Sequence, residues 1–98
     1  MQISITGRHI DVTDNVKDHV TEKLERCLGM FTFIETIHVV LEKEKHKEVS
    51  EVVVQAAHHI RVVAKEVSDN LYDAIDRSIE HAERQLRKQN DKLKDHHK

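Results

Sequence analysis

Ile3 and Ile5 alternate with Gln2, Ser4 and Thr6. A period of two with β-branched residues predicts a half-buried strand over Met1 to Gly7, with Gly7 helping to end it. Asp11-Val12-Thr13-Asp14 follows, where Thr13 can cap a helix and Asp14 places negative charge at its positive end. Val16, Val20, Leu24, Cys27 and Leu28 then fall on one helical face, and Gly29 is a natural stop. Ile37, Val39 and Leu41 mark a second strand that decays into the charged run Glu42 to Glu48. Val52, Val54 and Ala56 mark a third, and Ile60, Val62 and Ala64 a fourth, with connections through His46-Lys47 and Ala57-His58-His59 that suggest hairpins without glycine. Ser68 or Asp69 can cap a long last helix whose stripe is Leu71, Ile75, Ile79, Ala82, Leu86 and Leu93. Its end, from about Asn90, is mostly polar and is expected to fray.

The order strand, helix, three strands, helix gives every element one apolar face. The simplest arrangement that buries all of them is an α+β two-layer sandwich of β-α-β-β-β-α order, a four-stranded sheet with both helices on one face. The strand-helix-strand opening favours parallel pairing of the first two strands through a right-handed crossover. A chain of 98 residues is expected to form a single domain, residues 1–98, with little room for a buried catalytic pocket.

Composition narrows the function. With 38% hydrophobic and 35% charged residues the chain can build a core, and no run approaches the roughly 20 apolar residues of a spanning helix. No basic segment followed by an apolar stretch marks a signal peptide, and one cysteine makes no internal disulfide. The reading is of a protein outside membranes and oxidising compartments. The formal charge of -2 argues at first against a nucleic-acid binder, but net charge does not locate the charges. Residues 77–98 hold seven Lys/Arg against four Asp/Glu, whereas residues 1–76 hold nine against fourteen.

On the last helix Arg77, His81, Arg84 and Lys88 recur at helical spacing opposite the apolar stripe, Lys92 extends the row, and Arg87 and Lys94 sit to one side. On the first helix His19, Lys23 and Arg26 line one flank, with Asp18, Glu22 and Glu25 on the other. Such rows are either solvated surface with ordinary i,i+4 pairs, such as Glu80–Arg84 and Glu83–Arg87, or rigidly mounted cations for phosphate. The three aromatics, Phe31, Phe33 and Tyr72, read as core or hinge packing rather than base-stacking platforms. No zinc-finger spacing or basic heptad region occurs, which excludes those DNA readers and leaves shape-and-backbone recognition of folded RNA.

Catalytic chemistry is absent from the sequence. There is no phosphate-cradling glycine loop, HExxH or serine elbow. Cys27 sits on an apolar stripe as a structural thiol. His58-His59 and His96-His97 are adjacent pairs without the further ligands of a closed metal site. The reading is of a protein that is no enzyme and carries no catalytic residue, cofactor or metal. By its place in the row on the last helix, His81 is expected to face outward.

Three blocks carry a resemblance to a known family. Ile5-Thr6-Gly7, Ile10-Asp11-Val12-Thr13 and Val20-Thr21-Glu22-Lys23-Leu24 form the first; Asn70-Leu71-Tyr72-Asp73-Ala74-Ile75-Asp76 is the second; Glu83-Arg84-Gln85-Leu86-Arg87-Lys88 with Asp91-Lys92-Leu93-Lys94 is the third. Together they resemble the short forms of the bacterial ribosome hibernation factors, the ribosome-associated inhibitor A / sigma-54 modulation family. The ending Asp95-His96-His97-Lys98 differs from the acidic tail of one branch, and Ala57-His58-His59 stands where the family's turn usually holds glycine.

The resemblance implies a fold similar to double-stranded-RNA-binding domains. It also implies binding to ribosomal RNA of the small ribosomal subunit, in the channel for messenger and transfer RNA. Lys23 and Arg26 match basic positions of the family's first helix, and Arg84, Arg87, Lys88, Lys92 and Lys94 those of its second; Arg77 and His81 are added from periodicity. It further implies cytoplasmic inhibition of translation under starvation or stress, and promotion of inactive ribosome dimers together with a ribosome modulation factor that acts through the ribosome. DNA and membranes are not expected partners. The competing reading is a protein-interaction module whose charged helices dock a partner without RNA.

Overall fold

The structure, a computed structural model, describes the backbone of residues 1–95 and the side chains of residues 1–92. The order is β1 (Gln2–Arg8), α1 (Asp14–Leu28), β2 (Ile34–Glu44), β3 (Lys47–Ala56), β4 (Arg61–Ser68) and α2 (Leu71–Asp95). The four strands form one sheet in the order β1-β2-β3-β4. β1 runs parallel to β2, with Ile3 beside Ile37 and Ile5 beside Val39, and the other two pairings are antiparallel. This is the expected β-α-β-β-β-α sandwich.

Alternation along the strands decides the layers. Ile37, Val39 and Leu41 of β2, Val52, Val54 and Ala56 of β3, and Val62 and Ala64 of β4 are all buried in one cluster. The same cluster takes Val16, Val20, Leu24, Cys27 and Leu28 from α1 and Ile75, Ile79, Ala82 and Leu86 from α2. Both helices therefore cover the same sheet face, with α2 against β3 and β4 and α1 alongside α2. No helix covers the opposite face, where Val63 and Val67 are exposed although Val49 is buried.

Local chemistry sets the ends. Thr13, in extended geometry, accepts the Val16 N–H through its hydroxyl at 3.2 Å, the predicted cap. The α2 cap is Asn70, one or two residues later than expected, since its side-chain oxygen accepts the Asp73 N–H at 3.2 Å. Ser68 instead receives the Asn70 N–H and donates to Asp73 at 2.7 Å, so the whole Ser68–Asp73 segment is tied down. β1 passes through Gly7 to Arg8 rather than stopping. A Cβ at Gly7 would lie 2.6 Å from the Ile10 carbonyl oxygen and 2.7 Å from Val12, so the glycine admits the returning loop. β2 starts at Ile34, earlier than the Ile37 pattern suggests, with a register shift between Ile34 and Thr36. The charged run Glu42 to Glu48 is paired strand almost throughout, interrupted only at Lys45-His46.

Two further features lay outside the pattern. Ser50 and Ser78 are fully buried, hydroxyl to hydroxyl at 2.8 Å, and Ser78 also donates to the Ile75 carbonyl at 2.9 Å. This satisfied pair pins α2 to β3. The β3–β4 turn holds His58 and His59 at φ of 63° and 62°, closed by the Ile60 N–H donating to the Ala57 carbonyl at 3.4 Å. Two successive left-handed residues are the geometry that favours Asn-Gly, and a side chain held there costs of order 1 kcal/mol or more. Replacing His58-His59 by Asn-Gly is expected to raise the unfolding free energy by about 1 kcal/mol. Urea unfolding monitored by far-UV circular dichroism measures it, and an unchanged midpoint would show that the turn stores no such strain.

Candidate nucleic-acid interface

α1 and α2 lie side by side, and the flanks that meet carry opposite charge. His19 Nε2 lies 2.7 Å from Asp76 Oδ1, and Lys23 Nζ donates to Glu80 Oε2 at 2.8 Å. Tyr72 packs edge-on against the His19 ring, with centroids 4.9 Å apart. Lys23 is thus a seam residue, its side chain only 14% exposed. The hydrogen bond it donates to Glu80 raises its pKa, outweighing the desolvation that pulls the other way. Glu80 spends its charge across the seam, and the expected Glu80–Arg84 pair is not among those formed by described residues.

Arg77 and His81 depart from the expected outward row. Arg77 reaches Glu66 of β4 at 3.1 Å and Asp73 at 3.6 Å, and His81 Nδ1 lies 3.1 Å from Glu66. Gln85 meets His81 Nε2 at 2.9 Å. His81 therefore does not face outward as the periodicity suggested; both residues join α2 to the sheet edge. Arg87 takes the predicted partner Glu83 at 2.8 Å, remains half-exposed, and lies over the Phe31 ring at 5.8 Å.

What remains outside these pairs is a smaller set. Arg26, in the last turn of α1, and Arg84, Lys88 and Lys92 of α2 are exposed and make no ion pair with another described residue. The side chain of Lys94 lies outside the described residues, as does that of Leu93. The internal pairs occupy Asp73, Asp76, Glu80 and Glu83, the acids of the first half of α2. Such a face presents cations on a rigid support, the arrangement that phosphates require.

Cys27 is buried, and that burial pushes its thiol pKa up, so the nucleophilic thiolate is disfavoured. Among the described residues no group of three or more His, Cys, Asp or Glu side chains converges as a metal site would, and no helix is long and apolar enough to cross a membrane. Of the aromatics, Phe31 is buried and Phe33 half-buried, while Tyr72 is 41% exposed and packs at the junction of the helices against His19 rather than in the core.

Residues 3–94 match the model of the Sigma 54 modulation protein / S30EA ribosomal protein family. The chain belongs to this family. Within it, a ribosome hibernation promoting factor of Pseudomonas putida is 35% identical over 92 residues, 94% of this chain and 89% of that one. The factor of the same name from Escherichia coli K12 is 34% identical over 99 aligned positions, spanning 98% of this chain and 100% of its own length. Two solved structures share the fold. A ribosomal subunit interface protein from Coxiella burnetii superposes with a TM-score of 0.86 at 26% identity, covering 92% of this chain and 98% of that one. The N-terminal domain of Thermus thermophilus Protein Y gives 0.80 at 31% identity, covering 90% and 98%.

A double-mutant cycle of Lys23→Ala and Glu80→Ala is expected to give a coupling of roughly 1 kcal/mol at neutral pH. A raised amine pKa keeps its stabilisation fully in place below the ordinary lysine value and loses it only as pH climbs through the raised one. The coupling, read from chemical unfolding, should therefore be flat between neutrality and mildly alkaline pH; its disappearance there would refute the assignment.

Proposed function

We propose that this protein is a ribosome hibernation factor: a non-enzymatic, cytoplasmic domain that binds the small ribosomal subunit in the messenger and transfer RNA channel and thereby blocks translation under stress. The observation that carries this reading is the helical face on which Arg26, Arg84, Lys88 and Lys92 stay exposed while Asp73, Asp76, Glu80 and Glu83 are held in internal pairs. Its relatives' names, ribosome hibernation promoting factor and ribosomal subunit interface protein, support the same target. The mechanism is steric. A compact body held by several phosphate contacts occupies space that transfer RNA needs, and no covalent step is required. Promotion of inactive ribosome dimers, with a modulation factor acting through the ribosome, belongs to the same proposal.

The internal pairing divides the nine basic residues expected at the interface. Arg26, Arg84, Lys88 and Lys92 are assigned to phosphate, and Arg87 lends its exposed half. Lys23, Arg77 and His81 support the scaffold instead. Lys94 is kept as a proposed phosphate contact on the strength of the sequence alone.

Co-sedimentation with vacant small subunits across a salt series tests this. Four or five phosphate contacts give a logarithmic salt slope of roughly -3 to -5. Lys88→Ala should weaken binding and reduce the slope by about 1, whereas Arg77→Ala should leave the slope unchanged. Combined Lys88→Glu and Lys92→Glu should release the protein at moderate salt. Binding that survives both this reversal and nuclease treatment would favour the RNA-independent docking module.

A further inference from the structure

A cleft of about 410 Å³ opens where the α1–β2 loop meets the C-terminal half of α2, lined by Met30, Phe31, Thr32, Phe33, Arg87, Asn90 and Asp91. Its volume lies in the range of small-ligand sites, roughly 300–1,000 Å³. Its walls are flat and soft. Phe31 and Phe33 meet edge-to-face at 5.8 Å, and Arg87 spreads over Phe31 while its Nη2 donates to the Met30 sulfur at 3.7 Å. Met30 is 60% exposed, an apolar side chain left in water at the mouth. A second cleft of about 480 Å³ lies along β1 and β2, but no cation lines it.

Two features distinguish the first cleft from a packing defect. It adjoins the phosphate face, since Arg84 lies one turn before Arg87 on the same side of α2. And it holds an acid among those cations: Asp91 lines the cleft one turn after Arg87 and Lys88, yet makes no ion pair with either. For phosphate alone, a carboxylate at this point is a cost. For a nucleobase it is a reader, because guanine presents its N1–H and N2–H side by side as two donors to one carboxylate, with O6 next to them for the Asn90 amide.

We propose that the cleft receives one unpaired guanine of the bound RNA. The base stacks against the Phe33 and Met30 side, with the Arg87 guanidinium completing the platform, and its Watson–Crick edge meets Asp91 and Asn90. The proposal rests on the RNA-binding reading above and adds a base contact to a face otherwise limited to the backbone.

The chain has only two methionines, so methyl-labelled protein gives two signals: Met30 as reporter and Met1 as internal control. Titration of the full chain with guanosine monophosphate should shift the Met30 methyl and leave Met1 in place. Ribose 5-phosphate and uridine monophosphate should move neither, and Asp91→Asn should abolish the Met30 shift. No response, or an equal response to ribose 5-phosphate, overturns the proposal. This arm stands even if the protein fails to bind ribosomal subunits, which would sink only the reading above.

The second arm uses small subunits. Asp91→Asn and Met30→Ala, both at exposed positions, should each weaken binding about ten-fold with the salt slope unchanged. A face that reads phosphate alone predicts the opposite sign for Asp91→Asn, because removing an acid would tighten binding. Tighter or unaltered binding of that variant overturns the base contact.

Discussion

The arrangement depends on two helices sharing one apolar sheet face. Side by side, α1 and α2 must place polar flanks against each other, and those flanks meet as His19–Asp76 and Lys23–Glu80. The seam is partly shielded, so its charges have to be matched rather than left to solvent. That matching sets the outer surface. Acids held in the seam, on Arg77 or on Arg87 no longer oppose the cations that point away. A chain with a slight acidic excess overall thus shows a cationic helical face, because Lys and Arg outnumber the acids after residue 76 and most acids of α2 are partnered.

Much of this was legible in the order of apolar residues. Period-two and helical stripes gave all six elements, the parallel first pairing and the single covered face, because burial is strongly tied to periodicity. The N-cap at Thr13 followed from its chemistry and neighbours. Less could be read where a residue's fate depends on a partner distant in the chain. Lys23 and Arg26 look alike on a helical wheel, but Lys23 meets Glu80, 57 residues away, and Arg26 meets no described acid. Arg77 and His81 have the spacing of an outward row, and only the β3–β4 register brings Glu66 within their reach.

The same distinction explains the smaller differences. Ser50 precedes the apolar run of β3 and Ser78 lies beside the apolar stripe of α2, so neither figures in the pattern. They are buried because each is the other's partner. Tyr72 lies in the first turn of α2, where its ring meets His19 edge-on and stays partly in water. His58-His59 gives no glycine signal although the backbone takes the left-handed turn. In the comparison with relatives, the family is recognisable from the whole chain, whereas the division of its basic residues into scaffold and surface requires coordinates.

The unequal lengths of the helices carry a further consequence. Leu86 is the last buried side chain of α2 among the described residues, while the helix itself runs to Asp95. Nine residues at about 1.5 Å each carry the helix some 13 Å past Leu86. Between Arg87 and Lys92 no side chain is buried, and the support from the body is what Arg87 finds at Phe31 and Met30; thinner packing gives this stretch a lower opening free energy than the sandwich. Any partner that grips it therefore adds to that thin support, and occupancy shows itself as slowed amide exchange beyond Leu86 before it alters the melting of the sandwich.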